Sequence, residues 1–365
     1  MVRGSGLIWL VALATLSSLA CARPKPAIAN ATVERGRLAF TKYCATCHGA
    51  AGNGYAADNS PSLKTATFLA SATDEFLRAG IGRGRPGTAM AGYARALGGP
   101  LVPEEIDAII AFLRDGGPPR AALPAPRPPG DAKRGEVFYD ATCSPCHGTP
   151  AQRKTAVHLA NPVLLQTASD GYLRYAIENG RAPTSMIAWK AVLKPEQIDD
   201  VLAYLRSMAI PPPAPPPPPP PLAPRTAPVV LNPRGRTPQF TLKEDLYVSI
   251  DQVKQALDEK RRIVICDARA PSDWASLHIT GAISTPYYEK RSLDDIPKDG
   301  TWVVAYCACP HHVSGEVVAE LRKRGYKHTA VIDEGIFAWQ SKGYPVVTPP
   351  TASPSAQWAP KPPPR

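Results

Sequence analysis

A five-residue stretch that occurs twice decides the fold: Cys44-Ala45-Thr46-Cys47-His48 and Cys143-Ser144-Pro145-Cys146-His147. Each copy places two thiols one helical turn apart and an imidazole directly after the second thiol. This C-x-x-C-H spacing lets two cysteines bond the two vinyl groups of one haem while the histidine binds its iron. A redox dithiol and half of a zinc site are the alternatives, and the duplication favours haem.

The sequence around the two motifs also repeats. Glycine and aromatic positions upstream of the motif recur 99 residues on, as Gly36 with Gly135 and Phe40 with Tyr139. The segment PEEIDAIIAFLR from Pro103 returns from Pro195 as PEQIDDVLAYLR, 92 residues on. A fixed order with a drifting offset predicts two duplicated units that differ by small loop insertions. We call residues 31–116 the first repeat and residues 131–209 the second repeat.

A second axial ligand for each iron follows by elimination among the methionines. Apart from the initiator, the chain holds Met90, Met186 and Met208. Met90 and Met186 occupy equivalent positions in glycine-rich loops before a terminal amphipathic helix, whereas Met208 has no counterpart in the first repeat. Filling the core is the alternative role for both. His/Met ligation closes both axial positions and favours electron transfer over oxygen chemistry.

On these motifs each repeat resembles a class I c-type cytochrome domain. The resemblance implies a few α-helices wrapped around one covalently bound haem c, hence two haems in the chain. The implied thioether cysteines and axial ligands are Cys44, Cys47, His48 and Met90 in the first repeat, and Cys143, Cys146, His147 and Met186 in the second.

The same resemblance assigns supporting roles outside the motif. Gly36 and Gly135 are expected at the close crossing of the first and last helix of each repeat. The carbonyls of Pro61 and Pro162 are expected to accept the N–H of the axial histidine, which would fix its orientation. The aromatic residues three positions after each methionine, Tyr93 and Trp189, are expected to pack beside the haem.

Residues 239–347, the third unit, change character. Short β-branched runs at 263–267, 301–306 and 330–333 alternate with helical patterns. This alternation predicts an α/β domain with a parallel sheet, whose ligands bind beyond the carboxyl ends of the strands. The segment from Cys307 to Ser314 lies there, between a strand and a helix. A thiol in that position faces backbone N–H groups and a helix N-terminus, which lower its pKa.

The third unit resembles the rhodanese domain. The matching segments are Cys266-Asp267-Ala268-Arg269, His278 to Ile283, Tyr306-Cys307, and Glu334-Gly335 with Trp339. Cys307 matches the cysteine that carries persulfide sulfur in active members. Its loop to His312 has the length typical of sulfurtransferases, which disfavours a thiol-based phosphatase or arsenate reductase. The loop departs from active members at His312, where they usually carry a cation, often arginine.

Three functions of this loop remain open at the level of sequence. Cys307 could carry sulfane sulfur taken from a donor such as thiosulfate, with Cys309 and His312 as further candidate catalytic residues. The unit could instead be non-catalytic and dock partners. The third alternative is a metal site built from Cys307, Cys309, His311 and His312.

The remaining segments indicate export and tethering. Residues 1–22 are expected to be a signal peptide or lipoprotein leader, because one Arg precedes an apolar run from Leu7 to Ala20 that ends in small residues. Cleavage at the Ala20-Cys21-Ala22 site and acylation of Cys21 are the alternatives. Proline-rich linkers are expected over 117–130 and 210–238, and a disordered tail over 348–365. We therefore expect a periplasmic or otherwise exported protein that contacts a membrane only through a lipid on Cys21.

Composition and charge limit the remaining function classes. With 43 prolines among 365 residues, the chain cannot be one compact fold, so it is expected to be multidomain, with two all-α domains and one α/β domain joined by proline-rich linkers. The net charge of +11 lies outside the folded units, each of which is close to neutral. This distribution disfavours nucleic-acid binding and leaves redox proteins as the expected partners.

Overall fold

The computed structural model describes residues 27–55, 57, 59–210, 228–308 and 311–348. The predicted leader with Cys21, the polyproline run at 211–221, Cys309 and the tail beyond Thr348 lie outside these residues. Within the described ranges, no helix combines the length and the apolar composition needed to cross a membrane.

The two repeats are built from equivalent helices. In the first repeat these are α1 (Ala27–Tyr43), α2 (Ala45–His48), α3 (Ala66–Ser71), α4 (Asp74–Arg83) and α5 (Pro103–Arg114). In the second repeat they are α6 (Ala132–Phe138), α7 (Ser144–His147), α8 (Pro162–Thr167), α9 (Asp170–Asn179) and α10 (Pro195–Ser207), with a π-helical turn at Tyr139–Cys143 joining α6 to α7. The short helices α2 and α7 carry the repeated motif.

The first and last helices of each repeat cross at a glycine, as predicted. A Cβ at Gly36 would lie 1.8 Å from the carbonyl oxygen of Ala108 on α5. A Cβ at Gly135 would lie 2.0 Å from the carbonyl oxygen of Asp200 on α10. Because no side chain fits at either distance, glycine sets how closely the helices approach. The crossing brings the motif at the end of the first helix next to the core.

The two repeats pack against each other through equivalent elements. The rings of Phe76 and Tyr172, which correspond in the two sequences, lie 4.5 Å apart. The hydroxyl of Thr67 donates to the carbonyl of Gly180 at 2.8 Å, and the amide of Asn161 donates to the carbonyl of Pro86 at 2.9 Å. Each repeat therefore places α3 or α8 against the loop that leads to the methionine of the other repeat.

The third unit is an α/β domain with a parallel five-stranded sheet in the order β1-β6-β5-β2-β4. Its strands are β1 (Tyr247–Val248), β2 (Ile263–Asp267), β4 (Ile283–Ser284), β5 (Trp302–Tyr306) and β6 (Thr329–Ile332), with β3 (His278–Ile279) and β7 (Val346–Val347) forming an antiparallel pair. Its helices are α11 (Ile250–Asp258), α12 (Pro271–Ser276), α13 (His312–Lys323) and α14 (Gly335–Ser341). The three strands expected from β-branched runs are β2, β5 and β6, and their residues are buried almost throughout because helices cover both faces of the sheet.

Some predicted boundaries shift. Helix α1 begins at Ala27, ahead of residue 31. Leu231 pairs with Ile263, so ordered structure of the third unit begins ahead of residue 239. The linker at 117–130 forms no helix or strand, as expected, but it is held along the repeats, since the amide of Ala121 donates to the carbonyl of Ala70 and Arg127 pairs with Asp199.

Candidate haem sites and cysteine loop

The first repeat brings its motif residues together on one helical turn. Cys44 caps α2, and Cys47 and His48 lie on it. His48 is buried, and its Nδ1–H donates to the carbonyl oxygen of Pro61 at 3.0 Å, as predicted. Because a carbonyl can only accept, this bond fixes the tautomer and leaves Nε2 as the nitrogen that can bind iron. Burial also lowers the pKa of His48, which keeps the ring neutral and able to bind metal.

The second repeat reproduces this arrangement with a different acceptor. The Nδ1–H of His147 donates to the carbonyl oxygen of Val157 at 2.7 Å, and burial lowers the pKa of His147. The prediction that Pro162 supplies this acceptor is wrong. Pro162 is instead the first residue of α8, a position where a backbone N–H would have no partner within the helix, so proline is well tolerated there. The loop that carries Val157 is held by His158, whose Nε2–H donates to the carbonyl oxygen of Thr149 at 2.8 Å.

The two methionine loops have the same backbone hydrogen bonds. The carbonyl of Met90 accepts from the amide of Arg85, and that of Met186 accepts from the amide of Arg181, both at 2.8 Å. The hydroxyl of the threonine two residues earlier accepts from the amide of each methionine. The loops therefore correspond in structure as they do in sequence, which supports equivalent roles for Met90 and Met186.

The first thiol of each motif lacks the lowered pKa that is typical of a reactive redox dithiol. Burial raises the pKa of Cys44 to about 12 and the pKa of Cys143 to about 11. Reactive C-x-x-C pairs instead depend on a thiol with a lowered pKa. Among the described residues, no group of three or more His, Cys, Asp or Glu side chains is arranged to hold a metal ion, so the zinc alternative gains no support. Two thiols beside a neutral, oriented imidazole fit a c-type haem.

The third unit places Cys307 directly after β5, at the carboxyl end of the sheet. Cys307 is 1% exposed, and its Sγ lies 3.3 Å from the hydroxyl oxygen of Ser314. Its carbonyl accepts from the amide of Ile336 at 3.0 Å, which ties the loop to α14. Helix α13 begins at His312, so its positive N-terminal end lies next to the loop. The sequence predicted this placement but not the contact with Ser314, which lies seven residues on.

The two histidines of the loop have different surroundings. His311 has a left-handed backbone, with φ at 79°, and its Nε2 pairs with Asp333 while its ring lies 4.0 Å from that of Tyr247. The Nε2 atom of His311 is therefore already bound to the carboxylate of Asp333. The Nδ1 of His312 is buried and has no hydrogen-bond partner among the described residues. The described residues of this loop form no group of three His, Cys, Asp or Glu side chains that could hold a metal ion, and Cys309, the fourth residue of the predicted metal site, lies outside them.

The other residues that match the rhodanese pattern hold the fold together. Arg269 is buried and donates two hydrogen bonds to the carboxylate of Asp267, which also accepts from the hydroxyl of Tyr306 at 2.7 Å. His278 stacks on Trp274 with ring centroids 4.3 Å apart. Each of these groups is occupied within the domain, in agreement with a structural role.

Comparison with known families covers all three units. The model of the cytochrome c family matches residues 33–116, the model of subunit III of the cbb3-type cytochrome c oxidase matches residues 130–205, and the model of the rhodanese-like domain matches residues 249–342. A cbb3-type cytochrome c oxidase subunit FixP of Bradyrhizobium sp. is 30% identical over 208 residues, which are 54% of this chain and 68% of the relative. The chain belongs to the family of cbb3-type cytochrome c subunits.

Membership of the cbb3-type cytochrome c family establishes covalently bound haem c as the cofactor and electron transfer as the activity, with redox proteins as partners. We call the third unit the rhodanese-like domain from here on. It is similar to a probable adenylyltransferase/sulfurtransferase MoeZ of Mycobacterium tuberculosis, at 30% identity over 97 residues that make up 26% of this chain and 24% of the relative.

A rhodanese-like domain from Anabaena sp., solved by NMR, is 25% identical and covers 28% of this chain and 78% of the solved one, with a TM-score of 0.26.

Proposed function

We propose that this cytochrome carries two haems, one in each repeat, and passes single electrons between redox proteins outside the cytoplasm. The observation that carries the proposal is the matched geometry of His48 and His147. Each ring is neutral, is oriented by a bond from Nδ1 to a carbonyl and follows two cysteines. Met90 and Met186 would supply the second iron ligand of each haem in this proposal. Bound haem supplies one-electron redox chemistry, and the protein orients the ligands and limits access of water.

A haem count on the chain produced in a c-haem-maturing host tests this proposal. Pyridine haemochrome analysis should give two haems per chain, and Cys143→Ser with Cys146→Ser should leave one. Met186→Leu should keep both haems but weaken the far-red band that reports methionine bound to ferric iron. Met208→Leu is the matched control and should leave the band unchanged. One haem in the parent chain, or a band that depends on Met208, contradicts the assignment.

We further propose that Cys307 carries sulfane sulfur. In the first half-reaction the Cys307 thiolate takes the outer sulfur of thiosulfate, forming an S–S bond and releasing sulfite. In the second, cyanide takes that sulfur as thiocyanate and regenerates the thiolate. The position of the Cys307 thiol beside Ser314 and the N-terminus of α13 supports binding of an anionic sulfur.

A sulfurtransferase assay on the whole chain separates this role from its alternative. Cys307→Ser should abolish thiocyanate formation, and Cys266→Ala, which changes a buried cysteine of β2, should retain it. No activity in the parent chain would favour the second candidate, a pure electron carrier whose rhodanese-like domain serves docking. The near-complete burial of Cys307 and the contacts of its domain with the first repeat favour this second candidate.

The sequence of residues 1–22 bears on where the protein is located. The apolar run from Leu7 to Ala20, followed by Cys21, supports export and either release as a soluble protein or tethering through a lipid on Cys21. Mass spectrometry of the mature N-terminus tests this directly. A diacylglyceryl group on Cys21 would establish a lipoprotein, whereas a free N-terminus after a small residue would establish cleavage. An uncleaved N-terminus starting at Met1 would contradict both.

A further inference from the structure

The haem-attachment turn of the first repeat contacts the rhodanese-like domain. The hydroxyl of Thr46, which lies between the two cysteines of the motif, donates to the carboxylate of Glu316 on α13 at 2.6 Å. The hydroxyl of Tyr287 donates to the carbonyl of Tyr43 at 2.6 Å. The contact therefore lies on the turn itself and on the residue immediately before it.

The methionine loop of the first repeat contacts the same domain. The hydroxyl of Ser272, at the start of α12, is buried and donates to the carbonyl of Gly92 at 2.8 Å. Ala89, next to Met90, packs against both apolar clusters of the rhodanese-like domain. The two segments that supply the cysteines, the histidine and the methionine are thus both covered by one neighbour.

A cluster of tyrosines fills the centre of this contact. The hydroxyls of Tyr93 and Tyr287 lie 3.2 Å apart, and the ring of Tyr43 meets that of Tyr288 edge-on at 5.0 Å. Burial raises the pKa of both Tyr93 and Tyr287 well above the usual value. Tyr287 of the rhodanese-like domain is buried, and its bond to the residue before Cys44 places it close to the haem-attachment turn.

The side of the rhodanese-like domain that makes this contact is the side of its cysteine loop. Glu316 lies on α13, which begins where the Cys307 loop ends. Ser272 and Tyr287 follow the carboxyl ends of β2 and β4, at the edge of the sheet where Cys307 follows β5. The apolar clusters that Ala89 contacts contain Cys307 and Ala308. The face that would admit a partner or ligand in a parallel sheet is thus turned toward the first repeat.

The second repeat leaves the corresponding positions open. Cys146 is exposed, whereas Cys47 is half-buried. Pro145, the counterpart of Thr46, is exposed. Ile187, which follows Met186, is 53% exposed, and its counterpart Ala91 is 5% exposed. This repeat contacts the rhodanese-like domain through Arg153, which follows the motif along the chain and whose guanidinium lies 5.9 Å from the centre of the Phe337 ring.

We propose that the rhodanese-like domain is a built-in docking partner that occupies the haem face of the first repeat, so that external redox proteins dock on the second repeat. This inference holds whether or not Cys307 carries sulfur. The occupant of the first face is residues 228–348 of this chain, joined to the repeats by the proline-rich linker. The occupant of the second face is a redox protein with an apolar contact patch, because Ile187 and Val192, which follow Met186 along the chain, present exposed aliphatic side chains there.

Side-chain footprinting of the full-length, haem-loaded chain tests the docked state. Hydroxyl radicals should label Tyr43, Tyr93 and Tyr287 at least about tenfold more slowly than Ile187 and Val192, after correction for intrinsic reactivity. Ser272→Glu should remove this protection, since it places a carboxylate against the carbonyl of Gly92 while suiting the first turn of α12. Ser276→Glu, on the exposed end of the same helix, is the control and should leave the protection intact.

Glu316→Arg provides a second variant, because Glu316 is exposed and its replacement does not threaten the fold. It should weaken the contact with Thr46 and raise the labelling of Tyr43 about threefold. The proposal is overturned if the three tyrosines are labelled as fast as Ile187 in the parent chain. It is also overturned if Ser272→Glu and Glu316→Arg both leave the protection unchanged while far-ultraviolet circular dichroism shows a folded chain.

Discussion

The two repeats share helices, the C-x-x-C-H motif and loop geometry, yet the surfaces around their motifs meet different surroundings. In the first repeat the rhodanese-like domain covers the attachment turn and the methionine loop through Thr46 and Gly92. In the second repeat the same elements face outward, and Ile187 and Val192 are exposed. The motif and the methionine loop are thus alike in the two repeats, while the surface around them differs. In the proposed two-haem protein, one haem site would therefore face the rhodanese-like domain and the other would face outward.

The largest expected effect comes from removing one haem at a time. Cys143→Ser with Cys146→Ser should lower the rate of electron exchange with a small soluble c-type cytochrome by at least about tenfold, because only the covered face remains. Cys44→Ser with Cys47→Ser should retain most of the rate. Stopped-flow absorbance measures both, with each rate divided by haem content. Equal losses in the two variants would remove the distinction between the faces.

Substitution of the glycine at the helix crossing should destabilise the two repeats to a similar extent. Gly36→Ala and Gly135→Ala each force a Cβ into a neighbouring carbonyl, so each should lower the free energy of unfolding by about 1–3 kcal/mol. Thermal melts followed by haem absorbance measure the change. Gly300→Ala, where a Cβ would meet nothing within 4 Å but the positive φ disfavours alanine, provides a comparison for backbone strain without a clash. A large loss in one repeat alone would show that their packing differs more than the structure indicates.

Much of this architecture could be predicted from the sequence. The motif, the crossing glycines and the β-branched runs at 263–267 and 301–306 are local patterns, which a single sequence shows without knowledge of the fold. The acceptor for His147 was missed because it depends on how a loop closes, and a proline in the right place suggested Pro162 instead. The docking of the rhodanese-like domain was missed because contacts such as that of Thr46 with Glu316 join residues 270 positions apart and leave no periodic signal.

A charge introduced beside the methionine loop of the second repeat should slow electron exchange less than removal of a haem does. Ile187→Lys replaces an exposed aliphatic side chain with an ammonium group and should slow exchange with the same soluble cytochrome about fivefold, which corresponds to about 1 kcal/mol of lost contact. Val347→Lys is the control, since Val347 is also an exposed aliphatic residue but lies on the rhodanese-like domain. Equal rates for Ile187→Lys and the parent chain would show that partners do not use this face.

Because the rhodanese-like domain covers the first repeat but not the second, the two haems should have different reduction potentials. A haem iron with histidine and methionine ligands has one more positive charge when ferric, and burial disfavours the more charged form. The first haem should therefore have the higher potential, and Ser272→Glu should shift that potential toward the second. A spectroelectrochemical titration resolves the two steps, and Ser276→Glu serves as the control. One unresolved step in the parent chain would contradict this expectation.

The smallest expected effect is that of Pro61→Ala and Pro162→Ala on the bond between iron and histidine. Pro61→Ala retains the carbonyl that accepts from His48 but loosens its loop, so it should slightly alter the iron–histidine signal of the first haem. Pro162→Ala should leave the second haem unaltered, because His147 uses Val157. Resonance Raman spectra of the two variants measure this. A larger change from Pro162→Ala than from Pro61→Ala would contradict the observed acceptors.

The central claim is that each repeat binds one haem through its own pair of cysteines. Intact mass spectrometry of the mature chain from a c-haem-maturing host, followed by peptide mapping, tests it most directly. We predict a mass increase of two haems, with one adduct on the peptide containing Cys44 and Cys47 and one on the peptide containing Cys143 and Cys146. Unmodified thiols on either peptide, in a chain that is otherwise fully matured, would contradict the claim.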